Sequence, residues 1–168
     1  FDADQKNGSL DAFQVDSSGE FATVPTWRAE TALSKSSPSL RNVVTYNGVN
    51  GLAFTWATLP TNYQTALKAA APVTTDAAAE NLVNYMRGDT SKEGPSGFRQ
   101  RTTGNILGPI INSTPWVETR PVARLLGSQF LGYSAFVRAK ATRQKVIWAG
   151  SNDGMLHGFN ADTGTTII

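Results

Sequence analysis

A phrase written twice, once near each end, constrains this chain more than any other feature. The first copy runs Asn7-Gly8-Ser9-Leu10-Asp11-Ala12-Phe13-Gln14-Val15-Asp16-Ser17-Ser18-Gly19. The second runs Asp153-Gly154-Met155-Leu156-His157-Gly158-Phe159-Asn160-Ala161-Asp162-Thr163-Gly164. Glycine, leucine, phenylalanine and aspartate recur in one register: Gly8 with Gly154, Leu10 with Leu156, Phe13 with Phe159, Asp16 with Asp162. Such recurrence marks repeat architectures. Each copy reads as a turn, a strand with partly alternating apolar residues, and another turn. Repeated strand-and-turn units point to a mainly β, β-propeller-like fold.

The chain has 168 residues, whereas propeller blades take about 40–50 residues each and closed rings have about four blades or more. The expectation is therefore an incomplete ring, a fragment of a larger protein. Phe1 stands beside a strand motif and Ile168 ends where a strand begins, which fits that expectation. Residues 1–168 read as part of one propeller domain. Apolar residues make up 40% and charged residues 17%, a low charge density for a cytosolic enzyme. Fifteen Lys and Arg against 13 Asp and Glu, net +2, is too balanced to imply nucleic acid. Cysteine is absent, which removes disulfides, thiolate catalysis and Cys-based zinc sites. No stretch is long and apolar enough to read as a membrane-spanning helix.

Along the chain, Gly8 to Phe21 reads as a hairpin closed by Asp16-Ser17-Ser18-Gly19. A short helical or irregular link follows over Thr26 to Leu33, then a loop over Ser34 to Ser39. Arg41 to Tyr46 and Leu52 to Trp56 read as strands around an Asn47-Gly48 turn. Thr61 and Asp76 are the expected caps of two helices ending near Ala70 and Arg87, and residues 61–88 read as a helical insertion within the β domain. In the second helix Ala79 pairs with Val83, and Leu82 with Met86, at helical spacing. Gly88 stands where a left-handed residue ends a helix. Strand character returns at Ile106-Leu107, Ile110-Ile111 and Trp116 to Glu118, confined to short or edge strands by Pro109, Pro115 and Pro121. Gln129 to Arg143 suggests a third helix with Phe136 and Val137 on its buried side, and Val146 to Gly150 a buried strand.

Catalytic chemistry finds little purchase. His157 is the only histidine. A lone histidine in a strand can be a ligand, base or pH sensor, but supplies no constellation; the expectation is a half-buried side chain bonded to a backbone carbonyl. Asp2, Asp4 and Asp11 outline a calcium loop, which needs oxygen ligands at alternate positions and glycine at the sixth. Counting from Asp2, Lys6 takes a ligand position and Gly8 comes one place late, so a surface turn is the better reading. Ser151-Asn152-Asp153-Gly154 reads likewise as a tight turn. Arg99 and Arg101, two apart on an expected strand, share a face suited to internal salt bridges or carbonyl contacts, with anion binding as the alternative. No nucleophile elbow, phosphate-binding loop or dinucleotide fingerprint is present. The four tryptophans sit in or beside expected strands, where packing between blades is their default role.

Several phrases together resemble the C-terminal propeller region of the PilC/PilY family of type IV pilus biogenesis factors and tip-associated adhesins. The most specific is Lys145-Val146-Ile147-Trp148-Ala149-Gly150-Ser151-Asn152-Asp153-Gly154-Met155-Leu156-His157-Gly158-Phe159. Leu82 to Gly88, Phe98-Arg99-Gln100-Arg101 and Leu107 to Pro115 follow the same family order, and Asn112, Ser113 and Pro115 belong to the last of these. The family pattern has an acidic residue where this chain has Pro109. The resemblance implies a non-enzymatic propeller at the bacterial cell surface or pilus tip, outer-membrane-associated or periplasmic in transit. The implied partners are minor pilins or other pilus components, and host or abiotic surfaces, in support of pilus biogenesis, twitching motility and adhesion. It implies no cofactor for this segment; calcium belongs, if anywhere, to the parent protein. Residues 146–164 also resemble blades of quinoprotein dehydrogenases, which use pyrroloquinoline quinone, and of outer-membrane assembly scaffolds. Ile168 stands where those blades carry a docking tryptophan, and Asn160 where they carry aspartate.

Overall fold

Short antiparallel ladders organise the chain. The structure, a computed structural model, describes residues 6–69, 74–123, 125 and 128–168. Strands β1 (Asp11–Ala12) and β2 (Trp27–Arg28) form one pair, β3 (Val44–Tyr46) and β4 (Gly51–Ala53) a second. Strands β5 (Trp116–Glu118), β6 (Val146–Gly150) and β7 (Leu156–Asn160) form a three-stranded sheet in that order. Between them lie helices α1 (Ala29–Lys35), α2 (Thr61–Ala69), α3 (Asp76–Met86) and α4 (Tyr133–Ala139). Among the described residues the sheets remain separate and close into neither a barrel nor a propeller.

Both copies of the repeated phrase form hairpins, with turns two positions out of step. In the first, Val15 bridges Phe21, and the Asp16 carboxylate accepts from the Ser18 and Glu20 amides. The ladder continues through Ala22, Thr26 and Ala29, which donate to Gln14, Ala12 and Leu10. In the second, Asn160 opens the turn, its side-chain oxygen accepting from the Asp162 and Thr163 amides. The chain then folds back along β7: Asn160 donates to Thr165, Gly158 to Ile168, and Phe159 bridges Thr166. A shift of two residues preserves strand faces, yet the environments differ. Phe159 is fully buried, while Phe13 is 42% exposed.

That burial joins the two ends of the chain. Phe159 packs in a core with Ala29, Leu33 and Leu107, flanked by Leu10, Trp27, Ile106 and Ile110. Trp27 donates its indole N–H to the Ala161 carbonyl at 3.1 Å. A Cβ at Gly164 (φ +71°) would meet the Trp27 ring at 2.7 Å, so the second turn approaches the first hairpin with no room for a side chain.

Helix α3 is capped by Thr75, whose Oγ1 accepts from Ala78 N at 3.2 Å, so Asp76 opens the helix rather than capping it. Thr61 likewise lies inside α2, whose first turn donates to the Pro60 carbonyl. Ala79 and Val83 form the buried stripe of α3. Residues 106–111 form no strand, because their polar groups are engaged elsewhere. Gly8 N donates to Leu107 O, Asn152 N to Pro109 O, and Asn105 Oδ1 accepts from Leu107 N; Pro109 itself has no N–H to give a ladder. Phe136 is 44% exposed on α4, contrary to the expected buried face, and Trp116 is 70% exposed on the outer strand β5 rather than packed.

Candidate functional site

The start of β3, the end of α3, residues 99–108 and the β6–β7 hairpin converge on a cleft of about 540 Å³. Four arginines line it, Arg41, Arg87, Arg99 and Arg101, against one carboxylate, Asp153. Val43, Phe54, Ile106, Trp148, Met155 and Ile168 supply apolar walls.

Arg41 and Arg87 hold the cleft's inner side by exchanging bonds. Arg41 Nη1 donates to the Arg87 carbonyl at 2.6 Å, and Arg87 Nη2 to the Arg41 carbonyl at 3.2 Å. Arg41 also reaches the Leu33 and Ser36 carbonyls, and Arg87 those of Phe54 and Pro38. Both residues are buried, at 7% and 8% exposure. Burial, then the charges of Arg101 and Arg87, lowers the Arg41 pKa to about 10. The exchange needs Gly88: its φ of +98° ends α3, and a Cβ there would overlap Arg41 Nη1.

Arg101 is fixed by a carboxylate. Its Nε donates to Glu93 Oε1 at 2.6 Å, its own amide to Glu93 Oε2 at 2.9 Å, and its Nη2 to the Asp89 carbonyl at 3.1 Å. The guanidinium lies 4.2 Å from the Tyr85 ring centroid, and Tyr85 stacks on Phe98 at 4.8 Å. Arg99 is exposed at the rim. Residues 99–101 are not a strand; the expected internal salt bridge is present at Arg101, made by this brace rather than by a sheet face.

Asp153 and His157 come from the β6–β7 hairpin. His157 Nε2 lies 2.9 Å from Asp153 Oδ2, so its partner is a carboxylate and not the expected carbonyl. The same oxygen accepts from Gly108 N at 3.3 Å, and Oδ1 accepts from Met155 N at 3.0 Å. Burial pulls the Asp153 carboxyl upward, but the His157 bond and charge, with Ser151 and Met155, outweigh it and hold the group below its ordinary value. Gly154 (φ +84°) makes the turn that brings the pair together.

Of the residues singled out from the sequence, Arg99, Arg101, Asp153, Gly154 and His157 meet at the cleft. Asn112, Ser113, Pro115 and Asn152 do not line it. Asn112 adopts φ +58°, Ser113 Oγ accepts from Gly150 N at 3.2 Å, Pro115 is exposed before β5, and Asn152 N holds the Pro109 carbonyl. Asp11 bonds Ser9 and pairs with Arg28 at 3.7 Å; Asp2 and Asp4 lie outside the described residues. Arg41, Arg87 and Glu93 escaped the sequence reading. Their signals were an arginine leading into an apolar run, Arg41-Asn42-Val43-Val44, and an arginine before a helix-ending glycine, Arg87-Gly88.

The chain is 35% identical over 158 residues to type IV pilus biogenesis factor PilY1 of Pseudomonas aeruginosa PAK, covering 86% of this chain and 13% of that protein. It is 30% identical to PilY1 of strain UCBPP-PA14, over 96% of this chain and 15% of that protein. A PilY1 homolog of Xylella fastidiosa Temecula1 shows 41% identity over 95 residues, 54% of this chain and 8% of that protein. The chain thus spans about an eighth of the Pseudomonas PAK relative's length. No family model and no solved structure matches it.

Proposed function

Because this chain belongs to the PilY1 family of type IV pilus biogenesis factors, we propose that it serves pilus assembly as a non-enzymatic binding segment. The observation that carries this reading is the match over 86% of the chain, together with the Lys145-to-Phe159 phrase and the arginine motif in family order. The cleft suits the reading: its charged groups brace loops and present a shaped, polar-and-apolar surface, as a recognition site requires. On this proposal the small sheets are a fragment of a propeller and residues 61–88 are an insertion in it. One face meets minor pilins or other pilus components, and another meets host or abiotic surfaces, at the cell surface or pilus tip.

In-frame deletion of the segment from the parent protein, with immunoblotting to confirm that the remainder is made, is expected to reduce surface pili, twitching and adhesion. Unchanged values for all three sink the proposal. The redox alternative has its own assay: tight binding of pyrroloquinoline quinone with calcium, or dye reduction by the loaded chain, overturns the non-enzymatic reading.

A further inference from the structure

The charge in the cleft is unbalanced. Asp153 is committed to His157 and Gly108, and Glu93, behind the wall, to Arg101. Arg41 and Arg87 donate only to carbonyl oxygens in the contacts described, and Arg41 Nε is buried with no acceptor. Burying guanidinium groups without a carboxylate is costly, and an anion entering the cleft offsets that cost through their summed field.

We propose that the cleft docks an extended peptide of a partner protein that carries a carboxylate flanked by apolar residues. The charge excess accounts for the carboxylate, and Phe54, Ile106 and Trp148 for its apolar neighbours. The extended form follows from the walls. Strand β3 has a ladder partner on one edge only among the described residues, and Val43 to Thr45 line the cleft. Phe54 N donates to Val43 O on the paired edge, so the N–H and C=O of Val44 face the outer edge, beside the Tyr46 carbonyl that Tyr63 Oη holds, and can pair with another backbone. A nucleic acid is disfavoured, because Arg41, Arg87 and Arg101 are recessed in an apolar cleft rather than set in an exposed row. This inference concerns the cleft alone and stands apart from the assignment to pilus assembly.

The test uses the 168-residue chain and fluorescein-labelled octapeptides of valine and threonine with one central glutamate or glutamine, in amidated and free-acid forms. Anisotropy titrations are expected to show the amidated glutamate peptide binding about tenfold tighter than its glutamine counterpart, the size of one charge-assisted hydrogen bond. That preference should shrink as salt rises. Arg99→Ala, at the exposed rim, should erase most of the preference, and Arg99→Lys, which keeps the charge, should retain most of it. Hydrogen exchange at Val44, whose amide faces the outer edge of β3, should slow when the peptide binds, a readout independent of any variant. A free-acid preference in both peptides would identify a chain terminus as the source of the carboxylate, within the same proposal. Equal binding of all four peptides, no binding at millimolar peptide, complete displacement by inorganic phosphate at equal concentration, or tighter binding of single-stranded DNA would each overturn it.

Discussion

Asp153 accepts hydrogen bonds from three parts of the chain: His157 on β7, Met155 in its own turn, and Gly108 on the segment across the cleft. Its folded pKa is depressed, so its contribution to stability is complete above the ordinary carboxylate range and lost as pH falls through the lowered value. Asp153→Asn is expected to cost about 1–3 kcal/mol at pH 7 and to flatten the loss of stability below about pH 4. Urea unfolding of both proteins at pH 7 and pH 3 checks this, and equal acid sensitivity would count against it. Glu93 invites a sharper comparison. Its side chain and that of Arg101 are 7% and 8% exposed, so Glu93→Ala strands a buried charge and should cost about 3–5 kcal/mol. Asp11→Ala removes a 3.7 Å pair whose arginine is half exposed, and should cost at most about 1 kcal/mol. Similar losses for the two variants in denaturant melts would refute the distinction. Neither partnership could be read from spacing, since Asp153 and Gly108 lie 45 positions apart and the brace depends on how the Glu93 loop turns.

Helix α3 was the most legible element. Its apolar spacing marked Ala79 and Val83 as the buried stripe, and Arg87-Gly88 marked its end. The cap fell one residue earlier than expected because a threonine in extended conformation (φ −121°, ψ 157°) reaches the Ala78 amide, leaving Asp76 as a first-turn carboxylate. Thr75→Ala should therefore cost about 1 kcal/mol, and Asp76→Ala only about 0.3–1 kcal/mol of helix-dipole interaction. Thermal melts followed by circular dichroism would distinguish the two, and a reversed order would return the cap to Asp76. Strands fared less evenly. Val146 to Gly150 formed as expected, whereas residues 106–111, equally apolar, found their hydrogen bonds in turns from both ends of the chain. Periodicity reports local preference, but a ladder also needs a neighbour.

Across the whole molecule, the decisive contact is Phe159 with Ala29, Leu33 and Leu107, reinforced by Trp27 on the Asn160–Thr165 turn. Phe159→Ala is expected to cost about 3–5 kcal/mol, and its effect should reach the other end of the chain. Amide exchange should accelerate together at Gly158 on β7 and at Gly8 and Ala29, which are hydrogen-bonded near the first hairpin. Acceleration confined to β7 would mean that the two ends fold independently. The sequence alone determined the turns, the amphipathic helix, the β character of both repeated phrases and the family likeness, because each rests on residues a few positions apart or on a linear order of motifs. Only the tertiary structure decided which phenylalanine of the duplicated phrase is buried, that two distant arginines exchange carbonyl bonds, and that the lone histidine meets a carboxylate. Burial and charge pairing depend on which surfaces meet in space. Related phrases therefore acquire different chemistry when different segments pack against them.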